Sequence, residues 1–169
     1  MDVSVIIPVL NGERTIGRQL GALARQETEL KWEVLVADNG STDGTRELVE
    51  RFSQDFPVRL TLVDARARRS AAYARNCGAR ASSGAVLAFC DADDQVDVRW
   101  VQAAYEASLT APVSTGLIRY LTEPFDPESE IFNPRILHGR GIFGANFVAR
   151  REVFFEVGGF DESLPPYRM

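Results

Sequence analysis

The chain has 169 residues and a net charge of −5, a balance that argues against a sequence-independent grip on nucleic acid. With 45% hydrophobic and 25% charged residues it has an ordinary globular composition, and its length fits one domain, 1–169, able to bury roughly 70% of its unfolded surface without staples. Cys77 and Cys90 make no disulfide framework and no metal-ligand spacing with each other or with the lone His138; they read as small core hydrophobes. No basic-then-apolar leader opens the chain, and no apolar run approaches the ~20 residues of a membrane span. A cytoplasmic protein without a transmembrane segment is expected, with peripheral contact at the inner membrane face left open.

The first element is the β-branched run Val3 to Ile7, broken by Pro8 and Asn11-Gly12, which reads as a strand and a turn. From Glu13 the period becomes helical: Ile16, Leu20, Leu23 and Ala24 share a face, with Arg14, Arg18, Gln19 and Arg25 elsewhere. "EVLVAD" (33–38) is a second strand, followed by "NGSTDGT", where Ser41, Thr42 or Asp43 offers an N-cap to the helix carrying Leu48, Val49 and Phe52. "VRLTLVDA" (58–65) is a third strand, 69–83 a helix ending at Gly84, and "VLAFC" (86–90) a fourth strand. Val98 to Leu109 predicts a further helix with Asp97 as N-cap, then a strand over 112–121. The proline-bearing stretch 123–140 reads as a loop or lid, and 141–162 as a strand and a short helix from about Arg151, stopped by Gly158-Gly159.

Strand and helix alternate, and the strands are near-continuous apolar runs, so both sheet faces are covered. That predicts an α/β, Rossmann-like fold with a mostly parallel sheet and helices on both faces. Ligands in such sheets bind beyond the carboxyl ends of the strands. The polar turns 8–12, 38–44 and 91–97 all fall on that rim.

The segment "VLAFCDADDQ" brings an apolar strand to a tip of three aspartates, Asp91, Asp93 and Asp94. Two residues apart on extended backbone, Asp91 and Asp93 project to the same side. Paired hard oxygens suit Mg²⁺ or Mn²⁺, which complete their shell with water and substrate phosphates. Asp94 and Asp97 read as solvated or capping.

The blocks "SVIIPVLNGERTI", "VLVADNGSTDGT", "ARNCGARASSGAVLAFCDADD" and "VARREVFFEVGGFDES" together resemble the family 2 glycosyltransferases, which have the GT-A nucleotide-sugar fold. The resemblance runs from Ser4 to Leu164. It implies an inverting transfer of a sugar from a UDP- or GDP-linked donor to an acceptor sugar, lipid-linked sugar or other hydroxyl compound. By position it implies that Pro8 and Asn11 cup the nucleoside, with Glu13 standing one residue after the position of the family's glutamate. Asp38 matches the base-contacting aspartate, although a turn or N-cap role remains the alternative reading. Arg69 lies near a basic residue that contacts the base in some relatives; a solvated arginine is the alternative. Asp91, Ala92 and Asp93 match the family's DxD motif, with Asp93 the direct ligand of Mn²⁺ or Mg²⁺ and Gln95 beside the metal.

The family's general base is an acidic pair shortly after "GGFDE", which places it beyond Met169, with Asp161, or Glu162 beside it, as the fallback. His138 and Asn146 are candidate acceptor contacts. A non-catalytic nucleotide(-sugar)-binding module is the rival reading. A haloacid-dehalogenase-type phosphohydrolase fits poorly: Gln95 stands where that class needs a hydroxyl, and the only lysine is Lys31.

Overall fold

The computed structural model describes residues 1–116 and 144–163. In chain order the elements are β1 (Val3–Val9), α1 (Ile16–Leu23), β2 (Trp32–Asp38), α2 (Thr45–Gln54), β3 (Arg59–Asp64), α3 (Ala71–Ala81), β4 (Val86–Cys90), α4 (Trp100–Thr110), β5 (Val113–Thr115), β6 (Asn146–Arg150) and α5 (Arg151–Glu156). They build one six-stranded sheet in the order β3-β2-β1-β4-β6-β5. The first three pairings are parallel, and β6 runs antiparallel to both β4 and β5. The expected mostly parallel α/β sheet is the observed one.

All seven residues of β1 and of β2 are buried, which is why those runs are apolar throughout rather than alternating. Val3, Val5, Ile7 and Val9 face a core shared with Ile16 and Leu20 of α1, Val49 of α2 and Val101 of α4. Ile6, Leu35, Leu87 and Phe89 face the other side, against Ala79 of α3 and Phe154 of α5. Phe89 is fully buried, with Phe147, Phe154 and Phe160 at ring-centroid distances of 5.5, 5.3 and 5.1 Å. Each such side chain contributes about 1.5–3 kcal/mol by leaving water.

The order of strands reverses between β1 and β4, so the crevice beyond their carboxyl ends is the ligand position of an open α/β sheet. Pro8 is tolerated inside a central strand because β4 pairs with β1 only as far as Ile6, so its missing N–H falls past the end of that ladder.

Several element ends differ from expectation. The N-cap of α2 is Gly44, not Ser41, Thr42 or Asp43; Asp43 instead accepts the Thr45 N–H on Oδ1 at 3.1 Å. Helix α4 begins at Trp100, so Asp97 is a turn residue that accepts the Arg99 N–H at 3.0 Å. Helix α3 is shorter than 69–83 because the Ser70 hydroxyl caps it, accepting the Tyr73 N–H. After α5, Gly158 and Gly159 take positive φ, and their N–H groups return to Phe155 and Phe154, which closes the helix as expected. The strand expected over 112–121 is described as Val113–Thr115; residues 117–121, the 123–140 stretch and His138 lie outside the described residues.

One charge is buried at the opposite end of the sheet. Glu33 on β2 sits in register between Ser4 and Arg59. Its Oε1 accepts from the Ser4 hydroxyl, the Ser83 N–H and the Ser83 hydroxyl at 2.7–2.8 Å. Its Oε2 faces Arg59 at 3.3 Å, without hydrogen-bond alignment. Gly84 is needed here, since a Cβ would lie 2.5 Å from the Ser4 nitrogen.

Candidate active site

The first two rim loops are stitched together. Asn11 sits at φ +54, a left-handed conformation that asparagine tolerates better than most residues. Its N–H donates to the Ser41 hydroxyl at 2.9 Å, and its Oδ1 accepts the Thr42 N–H at 2.8 Å. The Glu13 N–H donates to Asp43, and the Glu13 carboxylate accepts the Gly44 N–H, both at 3.1 Å. Asn11 and Glu13, expected at the nucleotide, thus have their functional atoms joined to the 41–44 loop. Pro8 is buried within β1, behind that rim.

Asp38 ends β2 with its side chain 1% exposed. Oδ1 accepts the Ser41 N–H at 2.9 Å, and Oδ2 pairs with Arg46 Nη1 at 2.5 Å. Burial pushes its carboxyl up, but these hydrogen bonds and the arginine charge outweigh burial and hold it below the ordinary aspartate value. The turn role is therefore visible, and Arg46, which is 34% exposed, covers the carboxylate. Beside it, the Asn39 amide donates to Ala65 O and Arg68 O at 2.6 and 2.7 Å and accepts the Ser70 N–H at 2.8 Å, fixing the start of α3. Arg69 is exposed on the adjoining turn.

At the end of β4 the carboxylates differ in their surroundings. Asp91 Oδ1 lies 2.5 Å from Arg75 Nη2 of α3. Asp94 is partly buried and its Oδ2 accepts the Asp91 N–H at 3.3 Å. Burial, reinforced by the negative charges of Asp91 and Asp93, pushes the Asp94 carboxyl up to about 6. Asp94 is thus a partly buried, turn-closing group rather than a solvated one. Asp93 and Gln95 are exposed. The side chain of Ala92 is buried in the core beneath the rim, so only its backbone is available to a ligand.

Gln19 lies off the apolar face of α1 in the helical pattern, yet it is fully buried. Its amide donates to Asp91 O at 3.3 Å and accepts the Val96 N–H at 3.0 Å, bracketing the carboxylate turn. Arg75, Arg46 and Gln19 were missed as site residues. Their partners are 16, 8 and 72 residues away in sequence, so no local pattern marks them.

Asp161 is exposed, and its Oδ1 accepts from both the N–H and the hydroxyl of Ser163 at 2.8 and 2.7 Å. Glu162 accepts from the Asn76 amide at 2.8 Å, with Arg68 and Arg80 at 3.8 and 3.7 Å. Asn146 accepts the Trp100 indole N–H at 3.0 Å.

The family model for Glycosyl transferase family 2 matches residues 4–158. The chain is 37% identical over 133 residues to the validoxylamine A glucosyltransferase of Streptomyces hygroscopicus subsp. jinggangensis, covering 76% of this chain and 31% of that protein. It is 39% identical over 92 residues to the Escherichia coli UDP-Glc:alpha-D-GlcNAc-diphosphoundecaprenol beta-1,3-glucosyltransferase WfgD, covering 54% of this chain and 35% of that protein. Among solved structures, the mannosyltransferase PcManGT of Pyrobaculum calidifontis in complex with GDP-Man and Mn²⁺ superposes with a TM-score of 0.77 at 27% identity, over 94% of this chain and 47% of that one. The chain therefore spans about a third to a half of the length of these three proteins. With the strand order, the rim loops and a family match over nearly the whole sequence in agreement, the chain belongs to glycosyl transferase family 2.

Proposed function

We propose that the rim binds a nucleoside-diphosphate sugar together with Mn²⁺ or Mg²⁺, and that the protein of which this rim is the donor half moves the sugar to an acceptor hydroxyl with inversion. The observation that carries this is the exposed Asp93, two residues beyond Asp91 on the strand end beside the β1/β4 switch point. Asp91 keeps Oδ2 outside its pair with Arg75. Asp91, Asp93 and Gln95 supply hard oxygens and few of them; among the described residues no three acidic, histidine or cysteine side chains group as a metal cluster. That donor set suits a cation whose shell is completed by water and diphosphate oxygens. Bound there, the cation stabilises the charge that grows on the departing diphosphate. Gln19 fixes the carboxylate turn, and the stitched 11–13 and 41–44 loops wall the nucleoside side.

The relatives favour the same chemistry. WfgD is named for UDP-Glc and a diphosphoundecaprenol acceptor, and PcManGT was solved with GDP-Man and Mn²⁺. We extend to this protein a UDP- or GDP-linked donor and a hydroxyl acceptor, a lipid-linked sugar among the candidates, with action in the cytoplasm, in solution or at the inner membrane face. Among the described residues no helix is long and apolar enough to cross a membrane. The rival, a non-catalytic nucleotide-binding module, draws on Asp161 and Glu162, whose carboxylates are held by Ser163 and by Asn76 rather than poised as bases. We keep the general base in the acidic pair expected after Met169.

The test is release of UDP or GDP from a panel of UDP- and GDP-sugars with Mn²⁺ and candidate acceptors. Release that requires Mn²⁺ and disappears in Asp91→Asn is expected. Tight nucleotide binding with no release from any donor, in the full-length protein, would leave the binding module as the reading.

For the base we assign Asp38, reached when the base displaces Arg46 toward solvent. Asp38→Ala is expected to weaken UDP and GDP binding about tenfold, the worth of one hydrogen bond of roughly 1–1.5 kcal/mol. Calorimetry with UDP, GDP and TDP checks it. A variant that is less stable yet binds all three as the parent does would confine Asp38 to its turn.

A further inference from the structure

We infer that Arg75 makes cation binding at the strand-end carboxylates depend on the nucleoside diphosphate. This rests on the donor-site reading above. Three aspartates crowd four positions, 91–94, and among the described residues the cation set against them is Arg75, 2.5 Å from Asp91 Oδ1.

Arg75 is held in place. Its side chain is 13% exposed. The guanidinium carbon lies 5.5 Å from the centre of the Phe160 ring. The Gly144 backbone packs so closely that a Cβ there would fall 2.7 Å from that carbon. Nε is buried without a hydrogen-bond partner among the described residues. Phe160 is itself clamped, its N–H and C=O both bonded to the Asn76 amide at 3.0 and 2.9 Å. Unlike a surface arginine, Arg75 does not swing aside at small cost.

A fixed positive charge beside one candidate ligand acts in two directions. It occupies an oxygen of Asp91 and repels a divalent ion arriving alone, so the bare cation binds weakly. The same charge attracts a diphosphate, and the diphosphate supplies the negative charge and oxygens that the cation lacks. Cation and nucleotide therefore favour each other's binding, and the coupling is reciprocal. Arg75 is a positioning residue in this scheme, acting through Asp91.

The experiment counts free Mn²⁺ by electron paramagnetic resonance, without and with saturating UDP or GDP and against the same nucleotide without protein, in the parent protein, Arg75→Met and Arg75→Lys. Methionine keeps the packing against Phe160 without the charge. Arg75→Met is expected to bind Mn²⁺ alone on the order of tenfold more tightly, to bind UDP alone more weakly, and so to show a smaller coupling, the remainder coming from direct contact of cation and diphosphate; Arg75→Lys should retain the parent's coupling. If Arg75→Met fails to fold by circular dichroism, Arg75→Gln is read the same way. Unchanged coupling in the neutral variant, with the parent showing nucleotide-dependent Mn²⁺, overturns the inference and leaves the donor-site reading standing. A parent that holds no Mn²⁺ even with UDP or GDP overturns both.

Discussion

Glu33→Ala is expected to destabilise the fold by about 3 kcal/mol while leaving nucleotide binding intact in the folded fraction. Three donors, the Ser4 hydroxyl and the N–H and hydroxyl of Ser83, converge on one buried oxygen, and each buried group left unpaired costs about 1–3 kcal/mol, less what re-pairs. The Arg59 partner is 59% exposed, so its Coulomb share is screened and adds little. Urea titration measures the loss. The same node sets an acid limit. Burial raises the Glu33 carboxyl, but the bonds from Ser83 and Ser4 with Arg59 outweigh it, and the folded value lies below the ordinary 4.5. A depressed folded pKa contributes stability that is present above 4.5 and is lost as pH falls through the folded value. Glu33→Gln should flatten that part of the stability–pH curve. An unchanged acid limb would remove Glu33 from the account.

Asp93→Ala is expected to abolish the thermal stabilisation that Mn²⁺ with UDP or GDP gives the parent. A ligand at a hundredfold over its Kd stabilises by about 2.7 kcal/mol, or on the order of 5–10 °C in a chain this long. Asp93 is exposed and has no hydrogen bond or ion pair with another described residue, so the unliganded melting point should not move. Equal ligand-induced shifts in parent and variant would separate Asp93 from the cation.

The sheet was legible because burial on both faces leaves the same mark in its central strands: β1, β2 and β4 are apolar at every turn of the pleat apart from Ser4, Pro8, Glu33 and Asp38. The rim was legible for a topological reason, since parallel strands deliver all their following turns to one edge. Helix starts were less so. Gly44 and Arg99 occupy N-cap positions that make no side-chain hydrogen bond, so the capping pattern points instead to Ser41, Thr42 or Asp43 and to Asp97; Asp43 and Asp97 each accept the N–H two residues on. The site's inner residues were not legible. Gln19 looks like a surface residue in a helical wheel, because the wheel does not know that a polar turn 72 residues later needs both ends of its amide. Arg75 looks like one arginine among many, and only the packing of Phe160 and Gly144 about it shows that it is fixed.

The most direct test of the donor site is a calorimetric titration of UDP and of GDP into the protein, once with Mn²⁺ and once after chelation. One nucleotide is expected to bind at a single site, at least tenfold more tightly with the cation present. Binding indifferent to the chelator, or no binding of either nucleotide, would contradict a rim in which Asp91 and Asp93 hold a cation against a diphosphate.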